Sequence, residues 1–291
     1  MPRFLSVVKD INELIVFKHS VFALPFIFVA MSVASKQLND SAWFGWRLFI
    51  LGLIAAVSAR SFAMAFNRLA DENIDKHNPR TANRPSVDGR IGRTNMVIFI
   101  ALNAAIFVIS AWFINLSAFY ASFPILLVLA SYSFFKRFSS LAHLVVGLSL
   151  GLAPIAGSIA VLGYTPLWAW LLCLGVVFWV AGFDLLYSLQ DIDYDKQNNL
   201  YSIPSRYGWS ATFFISLLFH CVCIIFWLLF VVSASGGVLS YVAVGVSGVI
   251  LFFEHKIVRR DFTKIDRAFF TLNGYLGIIF FVLVLLDLIF S

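Results

Sequence analysis

The sequence predicts an all-α integral membrane protein with nine transmembrane helices and a cytoplasmic N-terminus. Three observations predict it. Of the 291 residues, 61% are hydrophobic and only 12% charged, where soluble domains run nearer a quarter charged. The apolar residues fall into nine runs, each near the ~20 residues that a hydrocarbon core requires. The basic residues gather on alternate connections between those runs.

The spans follow in order. Phe17–Ser35 comes after a polar start that carries Arg3, Lys9 and Lys18. Gly45–Phe66 carries Arg47 at its outer end and Arg60 in its interior, and ends at a polar run opening with Asn67. Asn95–Ile114 and Ser117–Phe135 meet at the tight, uncharged link Asn115-Leu116, and the second stops at Lys136-Arg137. Leu141–Gly163 and Pro166–Ser188 are joined by Tyr164-Thr165. Ser210–Val232 and Gly237–Phe253 are joined by Ser233–Gly236, and Ala268–Phe290 is the ninth. Helices surrounded by lipid are apolar all round, so periodicity says little here. Long continuous runs nevertheless argue against a barrel, whose strands are short and alternating.

With the N-terminus inside, all but three of the 21 basic residues fall on inside segments; Lys36 and Arg47 fall outside and Arg60 lies within a span. This is the positive-inside distribution, and dropping one helix would scramble it. The net charge of +6 therefore reflects topology and calls for no nucleic acid. Trp43, Trp46, Trp112, Trp168 and Trp170 sit where an outer aromatic belt is expected. Cys173, Cys221 and Cys223 lie inside apolar runs as packing residues, without metal-ligand spacing. No cleavable signal peptide is evident, because no small-residue cleavage site follows a short apolar segment.

Two polar runs stand apart, Asn67-Arg68-Leu69-Ala70-Asp71-Glu72-Asn73-Ile74-Asp75 and Asp191-Ile192-Asp193-Tyr194-Asp195. Each continues a membrane-length apolar run, and both lie on the predicted cytoplasmic side. Arg60, Met64, Asn67, Asp71 and Asp75 share one helical stripe; Asp184, Tyr187 or Ser188, Asp191 and Asp195 share another. The registers match, Asn67-x3-Asp71-x3-Asp75 against Tyr187-x3-Asp191-x3-Asp195. This suggests one domain, 1–291, of two pseudo-repeated four-helix halves and a ninth helix. Polar groups at a membrane boundary are costly unless they face a cavity. Two facing carboxylate pairs would bind a hard divalent cation, with phosphate oxygens completing its shell. Cations accompany the acids: Arg68, Lys136, Arg137 and Lys196 adjoin the motifs, with Arg80, Arg84 and Arg206 nearby. For Arg80 and Arg84, plain positive-inside topology is an equally good explanation.

These residues carry a resemblance. Asn67-Arg68-x2-Asp71-x3-Asp75, the Asn78–Pro85 segment, Tyr132-x3-Lys136-Arg137, Asp184-x2-Tyr187-x2-Gln190-Asp191-x3-Asp195 and Ser202-Ile203-Pro204-x-Arg206 resemble the UbiA superfamily of intramembrane aromatic prenyltransferases, in its order and spacing. The likeness covers essentially the whole chain and is greatest to bacterial 4-hydroxybenzoate polyprenyltransferases. It implies a helix bundle around a central cavity open laterally to lipid, in the bacterial inner membrane. It also implies Mg²⁺-dependent transfer of a polyprenyl chain from its diphosphate to a small aromatic acid in quinone biosynthesis. One region departs from the pattern. Phe17–Phe26 resembles a subgroup that makes menaquinone by the futalosine route, whose acceptor is 1,4-dihydroxy-6-naphthoate.

The site expected from motifs and resemblance together is concrete. Asp71, Asp75, Asp191 and Asp195, with Asn67, hold metal. Arg68, Tyr132, Lys136 and Lys196 meet the diphosphate. Arg60, Asp184, Tyr187 and His19 face the acceptor. Asp191 and Arg137 also take part in the chemistry, Asp191 drawing the proton from the acceptor hydroxyl. An ion pair between Arg60 and Asp184 is an equal alternative for those two residues. Asp287 is read as an outer-end residue meeting headgroups or water, Glu254 as part of a basic loop, and His220 as a bond to a neighbouring helix. A haem farnesyltransferase within the superfamily is a weaker reading. A secondary transporter is the rival from another class, but it would place its polar groups near the midplane.

Overall fold

The computed structural model describes residues 3–15, 24–261, 265 and 268–291, and among these every regular element is helical. A short helix α1 (Arg3–Ile15) precedes α2 (Leu24–Asn39) and α3 (Trp46–Ala70). After the brief α4 (Glu72–His77) come α5 (Arg93–Ile114), α6 (Leu116–Phe135), α7 (Ala142–Leu162) and α8 (Leu167–Ser188). A 3₁₀ turn at Leu189–Asp191 leads into α9 (Ile192–Gln197), then α10 (Ile203–Ser233), α11 (Val238–Arg260) and α12 (Asn273–Phe290). Eight helices among the described residues are long and apolar enough to cross a membrane. The predicted first span corresponds to α2, described only from Leu24, because Phe17–Ala23 lie outside the described residues.

The span boundaries hold to within a few residues, with three informative differences. Helix α10 begins at Ile203, seven residues before the predicted start, because Ser202 caps it reciprocally with Ser205 and Pro204 fits the first turn. Gly208 (φ 77°) then kinks it where the apolar run begins. Helix α11 continues through the polar stretch to Arg260. A π turn at Ala268–Leu272 precedes α12.

Helix α8 is the axis of the bundle. Its Trp179 packs against Phe26 of α2 (ring centroids 5.1 Å apart) and Trp227 of α10 (6.0 Å), and Phe280 of α12 completes the cluster. These four rings are all but fully buried. Outward-facing Leu102, Ile109, Trp112, Leu127, Phe214 and Phe252 are more than half exposed, an apolar surface that water would not tolerate and lipid accepts. Of the predicted belt, Trp43, Trp46, Trp112 and Trp170 are exposed. Trp168 is not: it is buried, and its indole N–H donates to Gln37 Oε1 at 2.9 Å.

Small residues let the helices approach closely, the usual device where lipid supplies no hydrophobic drive. On α7, His143, Gly147 and Gly151 follow one another at four-residue steps and face α8. A Cβ on Gly147 would lie 2.3 Å from the Val177 carbonyl oxygen, and one on Gly151 would lie 2.6 Å from the Val177 side chain. At the opposite end, Asp287 of α12 accepts from the Gly237 and Leu239 amides at 2.6 and 3.0 Å and from Ser240 Oγ. Asp287 is thus a buried cap for the start of α11, not a headgroup contact. Glu254 is buried too, accepting from Asn273 Nδ2 at 2.9 Å, so it belongs to the bundle rather than to a basic loop. The His220 expectation holds: its ring meets His255 Nε2 at 2.9 Å and the Trp179 carbonyl at 3.2 Å.

Candidate active site

On the side of α8 turned away from α10 lies a cavity of about 1590 Å³. Its lower walls are apolar and come from α2, α3, α5, α6, α7, α8 and α12; α10 and α11 contribute nothing. The room comes from small side chains, Gly52, Ala55, Ala56, Ala59 and Ala63 on α3 and Ala153, Ala156 and Ala160 on α7. Its mouth is polar and holds both sequence motifs. Asn67, Asp71 and Asp75 enter from the first, and Tyr187, Asp191 and Asp195 from the second.

The two motifs share a local geometry. Helix α3 stops at Asp71 (φ −97°, ψ 5°) and resumes as α4; α8 stops through a 3₁₀ turn at Asp191 (φ −102°, ψ 7°) and resumes as α9. After each break the short helix that follows still lines the cavity, through Ile74 and Asp75 of α4 and Tyr194 and Asp195 of α9. The register match seen in the sequence is therefore also a match in backbone conformation.

The four carboxylates expected to hold metal, Asp71, Asp75, Asp191 and Asp195, are already engaged. Asp71, 2% exposed, accepts from Lys136 Nζ at 2.6 Å and Asn67 Nδ2 at 3.0 Å, with Arg137 at 3.5 Å. Asp75 pairs with Arg84 at 2.5 Å. Asp191 receives the Arg80 guanidinium through two nitrogens, at 2.9 and 2.5 Å, and Asn78 at 3.2 Å. Asp195 accepts from Ser202 Oγ at 2.7 Å. Burial pushes the Arg80 guanidinium down, but the hydrogen bond and charge of Asp191 outweigh it, so it sits above its ordinary value. Arg68 is buried beside Asn67 (3.4 Å), and Tyr132 donates to the Ala63 carbonyl.

The segment after α4 does more than positive-inside topology requires. Thr81 Oγ1 donates to the Asp75 carbonyl, and Asn78 accepts the Arg80 amide. The turn so fixed sends Arg84 to the first motif and Arg80 to the second. Tyr194 of α9 donates to the Ile74 carbonyl at 2.7 Å, which ties the two motifs together directly. The Asn-Pro-Arg-x3-Arg-Pro run was the sequence signal for this bridge, though its pairing across more than a hundred residues was not readable.

Other expected residues fall less neatly. Lys196 is exposed and does not line the cavity. Arg137 stays at the rim, donating to the Ala70 carbonyl. Arg206 stacks on Tyr201, 4.2 Å from its centroid. His19 lies outside the described residues. Deep in the cavity, Arg60 lines the wall, and its buried Nε has no hydrogen-bond partner. The alternative ion pair with Asp184 does not form: Asp184 Oδ2 is held instead by His143 Nδ1 at 2.7 Å.

The pattern of the UbiA prenyltransferase family matches residues 23–284. The chain belongs to this family. A UbiA homolog from Aeropyrum pernix K1 superimposes with a TM-score of 0.83 at 30% identity, over 92% of this chain and 98% of that one. The 4-hydroxybenzoate octaprenyltransferase of Methylobacillus flagellatus is 30% identical over 85% of this chain and 83% of its own length. That of Francisella tularensis subsp. novicida is 27% identical over 89% of both. A UbiA homolog from Archaeoglobus fulgidus, solved with GPP and Mg²⁺, shares the fold (TM-score 0.73, 17% identity, 94% of this chain and 99% of that one). In this UbiA member, then, the two aspartate motifs of the sequence stand at one cavity mouth.

Proposed function

We propose that this protein transfers a polyprenyl group from its diphosphate to the ring of an aromatic acid, with 4-hydroxybenzoate as the acceptor. The observation that carries the reading is the pair of matched helix breaks, which bring four carboxylates and Lys136, Arg80 and Arg84 to the mouth of an otherwise apolar cavity. The family membership and the named relatives support the same chemistry.

The donor set suits Mg²⁺: hard carboxylate oxygens on two elements, few enough to leave coordination sites for phosphate. Asp71, Asp75, Asp191 and Asp195, with Asn67, would hold it. Bound Mg²⁺ supplies Lewis-acid stabilisation of the departing diphosphate. The cations that neutralise the carboxylates, Lys136, Arg80 and Arg84, together with Arg68, meet the diphosphate oxygens. Arg in particular matches phosphate geometry with two parallel N–H groups. The apolar walls below the mouth accept the polyprenyl tail and keep water from the allylic cation. Arg60, a cation deep in the wall without a carboxylate partner among the described residues, suits the carboxylate of the acceptor. The alternation of basic segments supports an inner-membrane protein with this mouth on the cytoplasmic side.

The test uses membranes containing the protein, Mg²⁺ and a labelled long-chain prenyl diphosphate, with 4-hydroxybenzoate and 1,4-dihydroxy-6-naphthoate in parallel. Prenylated hydroxybenzoate is the expected product. Prenylated naphthoate alone would move the enzyme to the menaquinone route. Asp71→Ala and Asp191→Ala should abolish turnover in folded protein, and activity in both would refute the site. Uptake without product would favour a transporter.

A further inference from the structure

We propose that Asp184 is the base that removes the ring proton of the acceptor, and that His143 is its positioning residue. This rests on the aromatic-acceptor reading above.

The geometry singles out this pair. Asp184 lines the cavity below the metal-binding motifs, and His143 stands behind it, buried and outside the lining. His143 Nδ1 lies 2.7 Å from Asp184 Oδ2. A carboxylate that serves as a base only accepts, and in that role it takes the Nδ1 hydrogen of His143. Oδ1 takes no hydrogen bond from the protein among the described residues, and the carboxyl group is about a quarter exposed where the histidine is not. One oxygen is thus fixed from behind while the other remains available to the cavity. His143 Nε2 is buried without a partner. A ring held in a hydrogen-bonding site on one side only is unusual for a residue that merely fills space.

Depth places the pair where the proton must be collected. Seven residues separate Asp184 from Asp191 and eleven separate Arg60 from Asp71, about 10 and 16 Å of helix rise. With the two aspartates level at the mouth, Asp184 sits about 6 Å above Arg60. An acceptor whose carboxylate meets Arg60 then has its hydroxyl end, and the carbon beside it, at the level of Asp184. The cavity also needs such a group. Asp71, Asp75 and Asp191 are each paired with a cation and Asp195 is held by Ser202 at the mouth, whereas Asp184 lies deeper and has a histidine.

The step balances. The allylic C–O bond breaks and its electron pair leaves on the diphosphate. A ring electron pair forms the new C–C bond at the carbon beside the hydroxyl. Asp184 Oδ1 takes the proton from that carbon, and the C–H pair restores the aromatic ring. The proton leaves Asp184 for water when product departs. His143 holds the carboxylate facing inward between turnovers.

The experiment compares the wild type with Asp184→Asn and His143→Asn. The acceptor is whichever acid the wild type prenylates, unlabelled or deuterated on the ring beside the hydroxyl. Elution volume and Mg²⁺-dependent binding of the labelled diphosphate check the fold. Asp184→Asn should lose on the order of a hundredfold in kcat, with donor binding unchanged. It should also acquire a rate difference between the unlabelled and deuterated acceptor, because proton removal has become limiting. His143→Asn, which keeps a donor beside Asp184, should show a smaller loss with the same isotope sensitivity. Wild-type kcat in Asp184→Asn, or a loss without any isotope effect, overturns the assignment. A wild type that prenylates neither acid removes the acceptor reading itself, and this assignment with it.

Discussion

Replacing Gly147 with alanine tests how the site is held together. The new Cβ would lie 2.3 Å from the Val177 carbonyl oxygen and 3.1 Å from its carbon. Backbone cannot swing aside, so α7 and α8 must part by about 1 Å to restore ordinary contact. Overpacking of this kind costs about 1–3 kcal/mol. His143 lies one turn away on the same face of α7, so the same displacement stretches its 2.7 Å bond to Asp184 to about 3.7 Å, beyond hydrogen-bonding distance. Stability and turnover should therefore fall together. Gly245→Ala is the control: a Cβ there meets nothing within 4 Å, and removing a mid-helix glycine should be neutral or stabilising by up to ~1 kcal/mol. The assay is the fraction folded against temperature in detergent, followed by prenyl transfer in membranes. A Gly147→Ala protein as stable and active as the Gly245→Ala control would refute the close helix contact and its link to the dyad.

Three further outcomes are expected. Lys136→Met removes the 2.6 Å partner of a carboxylate that is 2% exposed; a charge-assisted bond of about 1.5–3 kcal/mol corresponds to roughly 10–100-fold in kcat/KM, read by steady-state transfer at fixed Mg²⁺. Asp287→Ala uncaps α11 by removing bonds to Gly237, Leu239 and Ser240; it should cost about 1–3 kcal/mol in thermal stability and leave the donor KM unchanged. The hydrogen bond from Arg90 holds the Glu13 carboxyl below its ordinary value of 4.5. That lowering makes the tether of α1 complete above pH 4.5 and loses it as pH falls through the depressed value. A spin label at exposed Lys9 should gain mobility on acidification, and Arg90→Ala should abolish that pH dependence.

The sequence carried the helices and the two motifs because lipid makes both signals strong. Apolar runs such as Leu141–Gly163 have no soluble explanation, and acids at their ends stand out against them. Pairings between helices were much less legible. Arg80 and Arg84 were explained as well by inside-loop topology as by a site, since nothing local says that Arg80 meets Asp191 111 residues away. His143 gives no local signal because its partner is on another helix, and the glycines at 147 and 151 that bring that helix close are also common in any membrane helix. Asp287 misled for a similar reason. A carboxylate near a helix end resembles a solvated one until the amides of α11 are seen to point at it. Trp168 shows the same limit, since only its contact with Gln37 distinguishes it from a belt residue.

The likeness of the two motifs also shows where they stop being alike. At the mouth each contributes an aspartate at a helix break of nearly the same backbone conformation. In that register Asn67 corresponds to Tyr187, and one turn further in Met64 corresponds to Asp184. Deeper still, Arg60 corresponds to Val180. A diphosphate with its metal is nearly symmetric in charge and suits two like walls. A carboxylated ring with a hydroxyl is not symmetric, and it needs a cation at one depth and a proton acceptor at another. The first motif's helix supplies Arg60 and the second supplies Asp184. The divergence below the mouth therefore gives the cavity a polarity that the carboxylates at the mouth do not have, and under the proposed function an aromatic acid would lie along it in only one direction.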